Sequence, residues 1–266
     1  MHRFWNSVIE PLLTRAEPRV IVEIGAEIGR NTGNLIGFCQ AHGAVLHVID
    51  PKPRFDVEGW LSEHGDRLVI HQAKSLEALP AVEPADAVLI DGDHNWYTVY
   101  NELSLIQELA DRHGHRFPIV LLHDIDWPYG RRDLYYNPDD IPESGRQRFE
   151  RAGIQLDCNP LNKSHGLNPH LHNAVTEGGP RNGVATAIDD FLAPRKDQMR
   201  YVKIPGFHGL GILAPILLLQ SNPALDHFLT AITPNPFLSA HMEALERSRI
   251  GNEIQLKERL NGGQRC

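Results

Sequence analysis

Short apolar runs alternate with amphipathic stretches over the first 125 residues. Val20 to Ile24, Ala44 to Ile49, Leu68 to Gln72, Ala87 to Ile90 and Pro118 to Leu122 each read as a strand with little or no polar face. Such runs are expected where both faces of a parallel sheet are covered. Between them, apolar residues recur at helical spacing. Leu35, Ile36 and Phe38 mark a helix from about Thr32 to His42, stopped by Gly43. Val99, Leu103, Ile106, Leu109 and Ala110 mark another from about Tyr97 to Ala110. Ahead of the first strand, residues 1–17 place Phe4, Val8, Ile9, Leu12 and Leu13 on one helical face. The pattern predicts an α/β fold with a doubly wound, mostly parallel sheet.

The repetition breaks after the fifth strand. Residues 125–182 are rich in Pro, Gly, Asn, Arg and Tyr and show little periodicity, so a long lid-like insert is expected. A helix resumes at Val184 to Leu192. Met199 to Ile204 and Gly209 to Leu213 read as two strands joined by Pro205-Gly206-Phe207-His208, an antiparallel hairpin. Two helices follow, near Pro223 to Thr233 and Phe237 to Leu260. The expectation is one domain, 1–266, with a helix in 1–19, the insert at 125–182 and helices in 220–266. There are no internal repeats.

Composition narrows the functional classes. The net charge of −8 argues against a nucleic-acid surface, which needs a basic patch. No stretch approaches the ~20 apolar residues of a membrane span; the longest, Leu210 to Leu219, contains Gly211 and Pro215. Trp5, Asn6 and Glu10 stand where a signal peptide needs an apolar core. Cys39, Cys158 and Cys266 are too widely spaced for a disulfide framework or a cysteine zinc site, and a cytoplasmic location is expected. The C-terminal helices offer a surface for homo-oligomers, although no heptad pattern marks one.

Polar residues gather where the strands end. The first strand runs into Glu23-Ile24-Gly25-Ala26-Glu27-Ile28-Gly29, an E-x-G-x-x-x-G pattern leading through Thr32 into a helix. A strand, a glycine turn and a helix N-terminus present backbone N–H groups to a crevice; a plain tight turn reads the same way. The second strand ends at Asp50, the fourth at Asp91 with His94 three residues on, and the fifth at His123-Asp124. Ligands of doubly wound sheets bind at these carboxyl ends. Neighbouring fourth and fifth strands would bring Asp91, His123 and Asp124 together, a donor set suited to Mg²⁺ or a similar ion. Caps at Asp91 and Asp124, and a packed histidine at 94, are the plainer alternatives. In the insert, Trp127, Tyr129, Arg131, Arg132 and Tyr135 could wall an acceptor, since aromatic faces stack on sugar rings and guanidinium groups bind anions. A surface loop pinned by its own aromatics is the other reading. The histidines between His165 and His172 are irregularly spaced and read as a polar loop rather than a zinc site. Gly178 to Gly183 reads equally as an anion-binding turn or a helix start.

The pairing of Ile90-Asp91-Gly92-Asp93-His94 with His123-Asp124-Ile125, downstream of the glycine turn, resembles the class I S-adenosylmethionine-dependent methyltransferases. Within them it is similar to the metal-dependent macrolide-sugar O-methyltransferases and the cephalosporin-biosynthesis methyltransferase-like proteins. The likeness covers residues 20–125 and the hairpin at 200–213. It implies a seven-stranded sheet and cofactor contacts at Glu23, Gly25, Gly29, Thr32, Asp50, Ser75 and Asp91. It implies a divalent metal, Mg²⁺ first, on Asp91, His123 and Asp124, with His94 as general base beside Asp91. His123 departs from the carboxylate of the macrolide-sugar enzymes. The resulting expectation is metal-assisted O-methylation of a sugar-containing or polyhydroxylated small molecule. Metal-independent O- or N-methylation is the alternative. A nucleotide-binding oxidoreductase is disfavoured by the missing G-x-G-x-x-G.

Overall fold

The computed structural model describes residues 1–163 and 165–262; Cys266 lies outside them. Five strands, β1 (Val20–Ile24), β2 (Val45–Ile49), β3 (Leu68–His71), β4 (Ala87–Ile90) and β5 (Ile119–His123), are parallel to one another. Five short strands follow in the insert: β6 (Leu134–Tyr135), β7 (Phe149–Arg151), β8 (Gly153–Gln155), β9 (Cys158–Asn162) and β10 (His172–Ala174). The hairpin is β11 (Met199–Ile204) and β12 (Leu210–Pro215). The main sheet has seven strands in the order β11-β12-β5-β4-β1-β2-β3, and β12 runs antiparallel to β5.

The apolar strands are buried on both faces, and successive residues serve opposite cores. Ile21, Leu89 and Leu121 face one core with Ile9, Leu12, Leu35 and Leu225. Val22, Val88, Ile90, Val120 and Leu122 face the other with Val99, Leu103, Ile106 and Phe191. Each such fully buried side chain contributes about 1.5–3 kcal/mol. The helices supplying these layers are α1 (Glu10–Ala16), α2 (Arg30–His42), α3 (Val57–His64), α4 (Ser75–Ala78), α5 (Trp96–Arg112), α6 (Val184–Leu192), α7 (Ile216–Ser221), α8 (Pro223–Ile232) and α9 (Pro236–Gly262). Asn95 caps α5, its side-chain oxygen accepting from Thr98 N at 2.8 Å.

Two expectations are corrected. The stretch expected as one helix over 1–17 begins with a 3₁₀ turn and a π turn, and only Glu10–Ala16 is α-helical. The insert, expected to be irregular, holds β6-β10-β7 and β8-β9 sheets around small cores, one of them shared with Ile250 and Ile254 further along the chain. Strands of two to five residues are too short to show a period in sequence. No described helix is long and apolar enough to cross a membrane.

Candidate active site

Strand register builds the site. Ile24 pairs with both Ile49 and Ile90, and Ile90 pairs with Leu122. One residue further on, Asp50, Gly25, Asp91 and His123 therefore form a row across the carboxyl ends of four adjacent strands. Gly25 has φ +87°, and a Cβ there would stand 2.4 Å from the Asp91 carbonyl oxygen. Only glycine lets the β1 and β4 ends close in this way.

The glycine turn is fastened from below. Asp50 Oδ2 accepts from Ala26 N and Glu27 N at 2.9 Å each, and its Oδ1 accepts from Lys52 N at 2.7 Å. Three backbone donors leave this carboxylate little capacity for a ribose, so its visible work is to hold the turn. Glu23 is buried, and its oxygens accept from Asn31 Nδ2 at 2.8 Å and Thr32 Oγ at 2.6 Å. Burial pushes its carboxyl up to about 7, against those two hydrogen bonds. The structure thus corrects the expected role of Thr32: its hydroxyl turns inward to Glu23 rather than toward the crevice. Asn31, its partner in that clamp, was not foreseen. Gly29 ends the turn at φ +78° ahead of α2, and Ser75 opens α4 at the end of the β3 loop.

Asp91, His123 and Asp124 offer ligand atoms that all lie within 4.8 Å of one another, the one such grouping among the described residues. The histidines of 165–172 form none. His123 Nδ1 is 3.1 Å from Asp91 Oδ1 and 2.8 Å from Asp124 Oδ2. Burial lowers the His123 imidazole, but the charges of Asp91 and Asp124 outweigh it and raise the group to about 10. Burial raises both carboxyls in turn, yet the His123 charge holds each below its ordinary range. Asp124 occupies left-handed backbone, φ +58°, which Asp tolerates better than most residues. The Met1 ammonium donates to Asp91 Oδ2 at 2.7 Å, and the Phe4 ring meets His123 edge-on at 6.0 Å.

His94 Nε2 lies 3.5 Å from Asp124 Oδ2. Its ring stacks on Tyr129 at 5.7 Å, with planes 8° apart. The Tyr129 hydroxyl is pinned, accepting from Asn168 Nδ2 at 2.7 Å. Tyr136, which the sequence reading passed over, leans on the open side of His94, its hydroxyl 3.4 Å from Nε2 and its residue surface 54% exposed. β6 ends at Tyr135, which is buried, and Tyr136 just beyond it is exposed.

The remaining wall candidates serve the insert itself. Arg132 is fully buried, its guanidinium donating to the Ala174 and Asn159 carbonyl oxygens. Arg131 donates to Asp189 Oδ2 at 2.6 Å and Thr186 Oγ at 3.1 Å on α6. The buried Tyr135 hydroxyl donates to Asp133 Oδ2 at 2.7 Å, and Asp133 Oδ1 accepts from Trp96 N and Gly183 N. Trp127 packs inside the insert beside Tyr129 and Leu167. Arg131 and, through Asp133, Tyr135 therefore anchor the insert to α6 and α5, and Arg132 ties β9 to β10 within it, instead of lining an acceptor. The Gly178–Gly183 turn is filled by the buried Asn182 side chain, which donates to Thr176 O and Gly178 O, so it is a helix start.

Residues 22–125, which contain the whole row of strand ends, match the family model described as a methyltransferase domain. No curated protein matches the chain. Solved structures with a similar fold include the SAH-bound methyltransferase PaMTH1 from Podospora anserina, at 17% identity over 78% of this chain and 76% of that one, TM-score 0.46. They include the O-methyltransferase TomG from Streptomyces achromogenes, involved in tomaymycin synthesis and in complex with SAM, at 17% identity over 77% of each chain, TM-score 0.42. An O-methyltransferase from Bacillus cereus in complex with SAH is 12% identical over 80% of each chain, TM-score 0.42.

Proposed function

We propose that the chain is an S-adenosylmethionine-dependent O-methyltransferase, assisted by a divalent cation, acting on a hydroxyl of a sugar-containing or polyhydroxylated small molecule, as in the macrolide-sugar branch it resembles. The observation that carries this reading is the convergence of Asp91, His123, Asp124 and His94 beside the glycine turn. Two carboxylates and an imidazole within 4.8 Å fit a hard divalent ion.

Methyl transfer from a sulfonium is an in-line displacement, so the acceptor oxygen must be aligned and its proton removed. Gly25, Gly29, Ser75 and Asp91 would bracket the cofactor, with Asp50 and Glu23 holding the turn from beneath. Asp91, His123 and Asp124 would hold the cation, which when bound lowers the pKa of a coordinated hydroxyl. His94 takes the acceptor proton at Nε2. Tyr129 fixes the plane of that ring, and Asp124 stabilises the imidazolium that forms. Tyr136 gives the acceptor an exposed aromatic face.

Calorimetric titration with S-adenosylhomocysteine, paired with a turnover assay, tests the assignment. His94→Ala and Asp124→Asn should each abolish turnover with cofactor affinity nearly intact. A fully active His94→Ala variant removes the base assignment. Acceptors for the assay come from mass spectrometry of molecules that co-purify with the protein.

One observation favours a second, metal-independent reading. The His123 side chain already lies between the two carboxylates, and its raised pKa makes it a cation at neutral pH. Turnover that persists in EDTA without added Mg²⁺ selects this reading; loss in EDTA and recovery with Mg²⁺ selects the first.

A further inference from the structure

Glu102 is a carboxyl where the α5 pattern calls for an apolar residue. It shares a buried helix face with Thr98 and Ile106, one turn away on either side, and is itself 0% exposed. Neither of its oxygens makes a formed hydrogen bond. The polar group that faces it is the Ser75 hydroxyl, at the start of α4, which packs against α5. The charged side chain facing it is Asp93, in the β4–α5 loop. Glu102 takes no part in the methyl-transfer chemistry.

An ionised carboxylate without partners is prohibitively costly in such a place, so the group is held as the neutral acid. A neutral carboxylic acid has one O–H to donate, and a serine hydroxyl oxygen can accept it. We infer that Glu102 is a positioning residue for the cofactor: its acid O–H donates to Ser75 Oγ and fixes the loop Ala73–Ser75, which carries the cofactor contact at Ser75. The inference rests on the S-adenosylmethionine reading of the site. Burial pushes the Glu102 carboxyl up to about 8; the nearby Ser75 hydroxyl offsets this in part and the Asp93 charge adds to it. Near neutral pH the donor is in place, and above pH 8 it is lost.

The test is calorimetric titration of S-adenosylhomocysteine into the full chain and into Glu102→Gln, Glu102→Leu, Ser75→Ala and the Glu102→Leu/Ser75→Ala double variant, each checked by thermal melting. Glu102→Gln keeps a neutral donor of the same shape and should bind like the parent. Glu102→Leu and Ser75→Ala should each weaken binding about tenfold, and the double variant no further, because both break one contact. The parent should lose affinity between pH 7 and pH 9 while Glu102→Gln stays flat. This arm stands even if Glu102→Leu fails to fold. Fully additive losses, or a lowered melting temperature with unchanged affinity, reduce Glu102 to a packing residue and overturn the inference. A parent that does not bind S-adenosylhomocysteine overturns the cofactor reading as well, whereas binding by the parent with indifferent variants overturns only the role of Glu102.

Discussion

Gly25→Ala isolates the closure of β1 on β4. The new methyl would lie 2.4 Å from the Asp91 carbonyl oxygen and 2.6 Å from Gly92 Cα. Restoring ordinary contact moves the β4 end by about 1 Å, an overpacking strain of roughly 1–3 kcal/mol. The backbone at φ +87° adds about 1–2 kcal/mol for a residue with a Cβ. Together these predict a loss of about 2–5 kcal/mol, or roughly 5–15 °C in Tm at a few degrees per kcal/mol. Asp91 travels with that backbone, which sits between β1 and the His123 end of β5, and a displacement of about 1 Å at a reacting centre is worth about 100-fold in rate. Gly33→Ala is the matched control. Gly33 is helical, has open space around its Cβ position, and should gain roughly 1 kcal/mol from helix propensity. Differential scanning fluorimetry and turnover measurements on both variants check the reasoning. A Gly25→Ala protein melting within 2 °C of the parent, on the order of 1 kcal/mol or less, refutes the close approach of the two strand ends.

Two further outcomes follow from buried groups. Glu23 has a folded pKa raised to about 7, above its unfolded value of 4.5, so the unfolded state gives up its proton first and stability falls as pH rises through that window. The loss amounts to about 3 kcal/mol, present in full only above pH 7, and Glu23→Gln should remove it; parallel urea titrations at pH 4.5 and pH 7.5 showing the same slope for both proteins would contradict this. Arg132→Met leaves the Ala174 and Asn159 carbonyl oxygens without their buried donor, at about 3 kcal/mol. Hydrogen exchange should rise across β9 and β10 while β1, β4 and β5 stay protected; unchanged exchange in the insert would show that Arg132 is not its anchor.

The sheet was legible because its strands are apolar on both faces and each ends at a polar residue. Glu23, Asp50, Asp91 and His123 could be placed near one another from strand order alone, since parallel register aligns the ends. What lay beneath the ends was not legible. That Asp50 spends its acceptors on Ala26, Glu27 and Lys52, and that Thr32 turns to Glu23, depends on loop conformation rather than residue type. The insert misled for a related reason. Arginine and tyrosine are what a binding wall uses, but they are also what a small, loop-rich core uses to satisfy carbonyl groups. Arg132 and Tyr135 went inside, while Tyr136, just past the end of β6, stayed at the surface beside His94.

His123 decides how the centre balances charge. Two carboxylates this close repel, and burial sharpens the repulsion, so a positive charge must stand between them. An imidazolium supplies one positive charge and stands in hydrogen-bonding range of both oxygens. A divalent ion supplies two but needs the imidazole nitrogen bare, so its binding must displace a proton. The two solutions compete for the same lone pairs, and the raised His123 pKa measures how well the proton is held. Metal affinity at this site should therefore climb with pH toward 10. His123→Asp removes the competing proton and restores a third carboxylate, so its Mg²⁺ affinity should be higher at neutral pH and much less dependent on pH. Calorimetry with Mg²⁺ on the two proteins at pH 6.5 and 8.5 separates the cases: equal pH dependence would mean that the proton on His123 and the metal do not share a place.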